Sequence, residues 1–99
     1  MLSLKIHKAK GETIVAVCDL EVLGCKFLDG EKRIEVYRSF YGDRVIEEGE
    51  LDRYLGEATI INLVGKRVVD MAIKLGYVSQ DRVLTIGETV HAQAATLQR

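Results

Sequence analysis

Two histidines and a glutamine are the side chains of this sequence whose types and spacing could do chemistry. His91 and Gln93 stand two residues apart in the stretch GETVHAQAAT, residues 87–96, and His7 lies near the start of the chain. Side chains two residues apart on a β-strand point to the same face, so His91 and Gln93 could hydrogen-bond to one ligand. The alternative is that both are ordinary exposed strand residues, with the two histidines on separate hairpins.

The spacing of cysteine and histidine gives little support to metal or nucleophile chemistry. Cys18, Cys25, His7 and His91 would supply four ligands by number, but zinc knuckles pair ligands two to four residues apart and these residues form no such pair. Cys18 ends an apolar stretch, which is typical of a small buried side chain. The sequence therefore predicts no metal site, no cofactor and no catalytic residue. A small enzyme that uses His91 is a further alternative, but the sequence indicates no acid, base or metal partner for this histidine.

The stretch NLVGKR, residues 62–67, is a candidate phosphate site. We expect a helix to begin near Asn62, and the free N–H groups at a helix N-terminus bind anions. Gly65 would allow an anion to approach, and Lys66 and Arg67 follow it directly. The alternative is that Gly65 allows close packing against a strand while both basic side chains are solvated.

A basic start and two tyrosines suggest nucleic-acid binding. Lys5, His7, Lys8 and Lys10 precede the first acidic residue of the chain, and basic side chains neutralise phosphates. Tyr37 and Tyr41 alternate along a stretch that we interpret as a strand, so they would share a face on which bases could stack. The alternative is half-buried packing with the tyrosine hydroxyls in water.

Composition limits the classes of function. The chain has 99 residues, of which 47% are hydrophobic and 29% charged, as is typical of one soluble globular domain spanning residues 1–99. The 14 Lys and Arg residues nearly balance 15 Asp and Glu residues, so a polyanion would have to bind a local patch. Apolar stretches are too short to span a membrane and the first ten residues do not resemble a secretion signal. We therefore expect a cytoplasmic protein that does not bind membranes.

Turn signals predict a small α+β fold built from β-hairpins. The hairpins turn at residues 10–11, 29–32 and 87–88, where glycine accepts the positive φ angles of tight turns. The strand TIVAVC is apolar on both faces, which predicts a central place in its sheet. The stretch RIEVYRSFY, residues 33–41, is interpreted as a strand, and residues 41–44 as a further turn.

Helical periodicity occupies the middle of the chain. A short helix is predicted over residues 51–58, where apolar residues recur at helical spacing. A longer helix is predicted from Asn62, a favourable N-cap, to Gly76, a favourable residue just beyond a helix end. Its expected buried stripe consists of Val64, Val68, Met71, Ala72 and Leu75. The prediction is thus α+β, with a short and a longer helix in the middle and a C-terminal hairpin.

Five stretches, in order over nearly the whole chain, carry a family resemblance: LSLKIHK with IVAVCD, then EVYRSFYG, ATIINLVGKRVVDMAI and IGETVHAQ. They are similar to the archaeal family known as domain of unknown function 424. In that family a proline commonly precedes the histidine of the last motif, whereas Val90 stands here, which puts a rigid turn at this place in doubt. The resemblance implies an archaeal cytoplasmic protein with no established activity, in a family described as RNA-binding and linked to translation.

Two further functions stand beside the enzyme alternative. The leading one is a non-enzymatic module that binds RNA or a ribonucleoprotein of the translation apparatus. Its predicted site residues are Lys5, His7, Lys8, Tyr37, Tyr41, Lys66, Arg67, His91 and Gln93. The other is a protein-interaction or homo-oligomeric scaffold that binds no nucleic acid, in which Phe27, Val45 and Ile46 would mark the partner surface. RNA binding requires the predicted side chains to converge on one face.

Overall fold

One mixed sheet and one separate hairpin contain all the strands in the computed structural model, which describes residues 1–42 and 44–96. The strands are β1 Leu2–Ala9, β2 Glu12–Asp19, β3 Lys26–Asp29, β4 Lys32–Glu35, β5 Arg44–Ile46, β6 Ile60–Val64, β7 Leu84–Ile86 and β8 Thr89–Ala95. The helices are α1 Arg38–Tyr41, α2 Leu51–Gly56 and α3 Lys66–Lys74. The six-stranded sheet has the order β5-β1-β2-β6-β8-β7, and β3 pairs with β4. The α+β prediction is confirmed.

All three predicted hairpins are confirmed. β1 pairs antiparallel with β2, β3 with β4, and β7 with β8. Lys10 and Gly11 have φ angles of 54° and 82°, and positive φ at both central residues is what a type I′ hairpin turn requires. The prediction that β2 is central is also confirmed, because β2 lies between β1 and β6.

The predicted helix from Asn62 is wrong at its start. Residues Ile60–Val64 form β6, which pairs in parallel with β2. Four of the five residues of β6 are apolar and lie on both faces of the strand, so its periodicity does not distinguish it from a buried helix. The helix α3 begins only after Gly65 and ends before Gly76, whose φ of 90° fits the predicted helix end.

The predicted strand over residues 33–41 is wrong beyond Glu35. Here β4 ends, and Arg38–Tyr41 form the single helical turn α1. Val36 and Tyr41 are both buried against the sheet. Tertiary packing therefore overrides the β propensity of the valine and the aromatic residues.

The short predicted helix is confirmed as α2, although it ends at Gly56. The predicted turn at residues 41–44 includes Asp43, which lies outside the described residues. The apolar pair that follows, Val45 and Ile46, belongs to the edge strand β5. Among the described residues, no helix is long and apolar enough to cross a membrane.

The two faces of the six-stranded sheet contact different elements. One face, the helix face, packs against α2 and α3 and buries the larger hydrophobic cluster, including Leu4, Val15, Leu55, Leu63 and Val68. The opposite face, the hairpin face, packs against α1 and the β3–β4 hairpin. Its cluster contains Ala16, Cys18, Val36, Tyr41 and Val64. The sheet contributes Ala16, Cys18 and Val64 to this cluster, and the covering chain from β4 to α1 contributes Val36 and Tyr41.

Candidate functional site

Strand register brings four of the predicted site residues to the hairpin face of the sheet. Across β1, β2, β6 and β8, one row consists of Lys5, Ala16, Asn62 and Gln93. The adjacent row consists of His7, Ile14, Ile60 and Ala95. His91 lies on the same face, one row to the other side, paired with Val64. Lys5, His7, His91 and Gln93 therefore share one face of one sheet, although they come from opposite ends of the chain.

Only part of the hairpin face is covered. Ser3, Cys18 and Val64, in the row of His91, are buried beneath α1 and the hairpin. Residues of the next two rows are partly or fully exposed, apart from Ala16. We call this uncovered set the open face; it comprises Lys5, His7, Ile14, Ile60, Asn62, Gln93 and Ala95.

His7 is held at the border of the open face by α1. Its ring stacks on Phe40 with a centroid separation of 4.6 Å, and its Nε2 donates to the Phe40 carbonyl oxygen at 2.9 Å. Because a carbonyl only accepts, the proton of the neutral ring is on Nε2, and Nδ1 remains as an acceptor. His7 thus presents an aromatic surface and one acceptor in a fixed orientation.

His91 and Gln93 share a face, as predicted. His91 Nδ1 donates to the carbonyl oxygen of Leu63 at 2.9 Å, so the ring lies partly buried against the sheet. Thr89 is on the same face but only 2% exposed, because this end of β8 lies in the covered part. Val90 continues the strand, which agrees with the absence of the proline at this place.

The two tyrosines do not form the predicted stacking surface. Tyr37 precedes α1 and is 55% exposed, whereas Tyr41 is only 5% exposed. The Tyr41 hydroxyl donates to Asn62 Oδ1 at 2.5 Å. Burial raises the pKa of Tyr41 well above its ordinary value, since the ionised form would lose its hydration. Tyr41 therefore acts from inside the protein, through Asn62.

Asn62 is a site residue that the sequence interpretation missed, because it was assigned to a helix cap. No buried side-chain nitrogen or oxygen in the described residues lacks a hydrogen-bond partner. Only the Oδ1 atom of Asn62 is bonded within the described chain, so its Nδ2 group is accessible to solvent. A polar residue inside the apolar stretch IINLV was the available signal, since a central strand rarely carries one without a partner.

The helix N-terminus at NLVGKR already holds an anion, the carboxylate of Asp19. Asp19 Oδ2 accepts from the Arg67 backbone N–H at 3.0 Å, and Oδ1 accepts from that of Val68 at 2.9 Å. Asp19 is 3% exposed. The donors that a phosphate would need are therefore occupied, which favours the close-packing alternative for Gly65.

The Arg67 side chain is also engaged within the protein. Its guanidinium forms ion pairs with Glu21 and Glu48 and donates to the carbonyl oxygen of Met1. The hydrogen bond from Arg67 lowers the pKa of Glu21 and raises that of Arg67. Lys66 is exposed at the start of α3, away from the open face.

Lys8 alternates with His7 and so belongs to the helix-face side of β1, near its exposed end. The open face and the start of α3 are thus different surfaces, and only the first collects several predicted residues.

The histidines and cysteines do not converge. His7 and His91 are separated by three strand spacings across the sheet, about 14 Å, and by four residues along the strands, about 13 Å. Together these offsets place the two residues about 20 Å apart. Cys25 Sγ contacts the carbonyl oxygen of Glu21 at 3.6 Å. Within residues 1–42 and 44–96, no group of three or more His, Cys, Asp or Glu side chains could hold a metal ion. The arrangement can bind through hydrogen bonds, stacking and charge, and offers no paired acid and base.

Fold and site together define a small α+β protein with a half-covered mixed sheet. The family model described as "Protein of unknown function (DUF424)" matches residues 7–97, and the chain belongs to this family. No curated protein matches the chain. A solved structure, an uncharacterized conserved protein from the archaeon Methanopyrus kandleri, is similar with a TM-score of 0.83. The match covers 99% of this chain and 93% of that one at 21% identity, which shows a shared fold.

Proposed function

We propose that this protein is a non-enzymatic module that binds single-stranded RNA, free or in a ribonucleoprotein, on its open face. The observation that carries the proposal is the register that places Lys5, His7, Asn62 and Gln93 around an apolar floor. RNA is recognised mostly through unpaired bases, which stack on side chains and hydrogen-bond along their edges. A partly exposed sheet with aromatic, amide and cationic side chains provides each of these contacts.

Several unpaired cations lie on the open face or beside it. Within the described residues, Lys5, Lys8, Lys10 and Arg38 form no ion pair. Lys5 lies on the open face, Lys8 and Lys10 lie at the adjacent end of β1, and Arg38 opens α1. In the helical layer, Arg53, Arg67 and Lys74 are paired, whereas Lys66 forms no ion pair in the described residues. A nearly neutral chain can therefore still present free positive charge to a phosphate backbone.

Of the predicted tyrosine pair only Tyr37 is exposed, and the other aromatic contacts on this surface come from His7 and Phe40. The stacked rings of His7 and Phe40 border the open face, and Tyr37 is exposed at the start of α1. Stacking on such rings is tolerant of sequence because every base has a π-face. The cytoplasmic location and link to translation expected of the family belong to this proposal. Two free cysteines, Cys18 and Cys25, fit a reducing compartment.

Fluorescence anisotropy with labelled transfer RNA, ribosomal RNA fragments and single-stranded DNA across a salt series tests the proposal. If about three cations contact phosphates, the slope of log K against log salt is about −2 for a single strand. Lys5→Ala should weaken binding and reduce the slope by about 0.7. Lys66→Ala removes the same charge from α3 and should change neither. No binding at low salt, or binding that ignores salt, would contradict the proposal.

A homo-oligomeric scaffold is the second candidate, and the edge strand β5 favours it. Val45 is 51% exposed beside the exposed Leu20, at a sheet edge where the described residues place no further strand. A second copy pairing along β5 would cover both. Of the other expected partner residues, Ile46 is buried and Phe27 packs against the hydrophobic cluster on the hairpin face. Light scattering tests this candidate: a dimer that Val45→Lys dissociates supports it, and a monomer at high concentration contradicts it.

A further inference from the structure

We infer that Asn62 and Gln93 together bind the Watson–Crick edge of an unpaired nucleobase, with Tyr41 as the residue that positions Asn62. This inference rests on the proposed RNA binding and assigns the part of the ligand that the amides contact. It makes the open face a reader of bases as well as a surface for the sugar-phosphate backbone.

The two amides lie at a position where side chains of neighbouring strands approach most closely. The Val90 carbonyl oxygen accepts from Gly65 N, and Thr96 N donates to the Thr59 carbonyl oxygen. Even-numbered residues of β8 therefore direct their backbone groups towards β6, and the facing pair Asn62 and Gln93 is not hydrogen-bonded through the backbone. In such pairs the Cα atoms are about 4.5 Å apart and the side chains are adjacent.

The hydrogen bond from Tyr41 determines what Asn62 offers to a ligand. Because the Tyr41 hydroxyl donates to Oδ1, the Nδ2 group is directed away from it as a donor. Tyr41 is itself immobilised, since it is buried, its ring makes an edge contact with Phe40, and Ser3 Oγ donates to its carbonyl oxygen at 2.8 Å. Asn62 is therefore pre-organised as a donor before any ligand binds.

Gln93 and the adjacent row complete the recognition surface. Gln93 is exposed, so its amide oxygen is free to accept beside the Asn62 donor. A donor next to an acceptor matches the Watson–Crick edge of a base, which offers the reverse arrangement. The next pair on this face, Ile60 and Ala95, lies about 7 Å along the strands from Asn62 and Gln93. A base lying on this apolar floor would point its edge at the two amides.

The first test needs no change in the protein. Anisotropy would compare a ten-nucleotide oligouridine with the same oligomer built from 3-methyluridine, whose methyl group blocks the N3–H donor. We expect the methylated oligomer to bind about tenfold more weakly, within the range for a bidentate base contact. Equal affinity for the two oligomers, or no binding of oligouridine while longer RNAs bind, would overturn the inference.

Variants locate the effect on the two amides. Asn62→Asp is isosteric and replaces the outward donor by a carboxylate oxygen, so oligouridine affinity should fall about tenfold or more. Gln93→Ala should weaken oligouridine binding, and Gln80→Ala, an exposed glutamine in the turn before β7, is the matched control. Oligouridine affinity unchanged by both Asn62→Asp and Gln93→Ala would overturn the inference.

Tyr41→Phe tests the positioning role through a ratio that a purely structural role would not change. Without the hydroxyl, Asn62 can rotate, so the affinity ratio between oligouridine and its methylated form should approach one. A ratio that stays at the wild-type value would remove Tyr41 from the inference. Failure of the wild-type protein to bind any RNA would instead refute the proposed function itself.

Discussion

The carboxylate of Asp19 lies so close to Gly65 that a Cβ atom on residue 65 would fall 2.4 Å from Asp19 Cγ. Gly65 also has a φ of 125°, a conformation that side chains with a Cβ rarely adopt. The end of β2 thus supplies the anion that satisfies the start of α3. This contact joins the two central parallel strands to the helix that covers them, and it explains why a glycine stands between β6 and α3.

Removing the Asp19 carboxylate should destabilise the fold without affecting the open face. Asp19→Ala leaves two backbone donors without a partner, and we expect the free energy of unfolding to fall by about 2 kcal/mol. Asp19→Asn should lose less, because its one amide oxygen can still accept. Urea denaturation measures both variants, and Asp81→Ala, an exposed acid of the turn before β7, should be nearly neutral. If the loss for Asp19→Ala were no larger than for Asp81→Ala, the cap would contribute nothing.

Tyr41 should resist ionisation until the protein unfolds. Its pKa is raised in the folded state, so it contributes stability fully below the unfolded value of about 10. That contribution is lost as the pH rises above 10 towards the folded pKa. Absorbance titration at 295 nm should show a late tyrosine phase coincident with alkaline unfolding, and this phase should be absent in Tyr41→Phe. A Tyr41 phase that precedes unfolding would contradict the burial of its hydroxyl.

The two cysteines should react with thiol reagents at very different rates. Burial raises the pKa of Cys18 to about 12, so its reactive thiolate is scarce near neutral pH. Cys25 is partly exposed. At pH 8 an excess of a disulfide reagent should modify one thiol per chain quickly and the second only at the rate of unfolding. In Cys25→Ser the fast phase should disappear; if it persisted, Cys18 would be accessible in the native fold.

Hairpins could be predicted from the sequence because their signals are local. Lys10-Gly11 and Gly87 adopt the positive φ angles that short turns require, and these preferences act within a few residues. The strand β6 could not be identified in this way, since apolar residues on both of its faces remove the alternation that distinguishes a strand. The turn α1 was missed because Val36 and Tyr41 are placed by the sheet beneath them rather than by their own propensities.

The candidate site was predictable only in part, for the same reason. Strand alternation alone placed His91 with Gln93, and His7 with Lys5, on common faces. Whether those two faces are one surface depends on β2 and β6 lying between them, which is a tertiary relationship. Asn62 was missed together with β6. Arg67 stood beside Lys66 in the sequence, but its acidic partners come from other elements and occupy its charge.

The central claim is that the open face binds single-stranded RNA, and nuclear magnetic resonance of the isotope-labelled protein tests it most directly. Asn62 is the single asparagine of the chain, so its side-chain amide signal can be assigned without ambiguity. Titration with oligouridine should shift the side-chain amides of Asn62 and Gln93 and the backbone signals of Lys5 and His7. Shifts confined to α2 and α3, or no shifts at low salt, would contradict the claim.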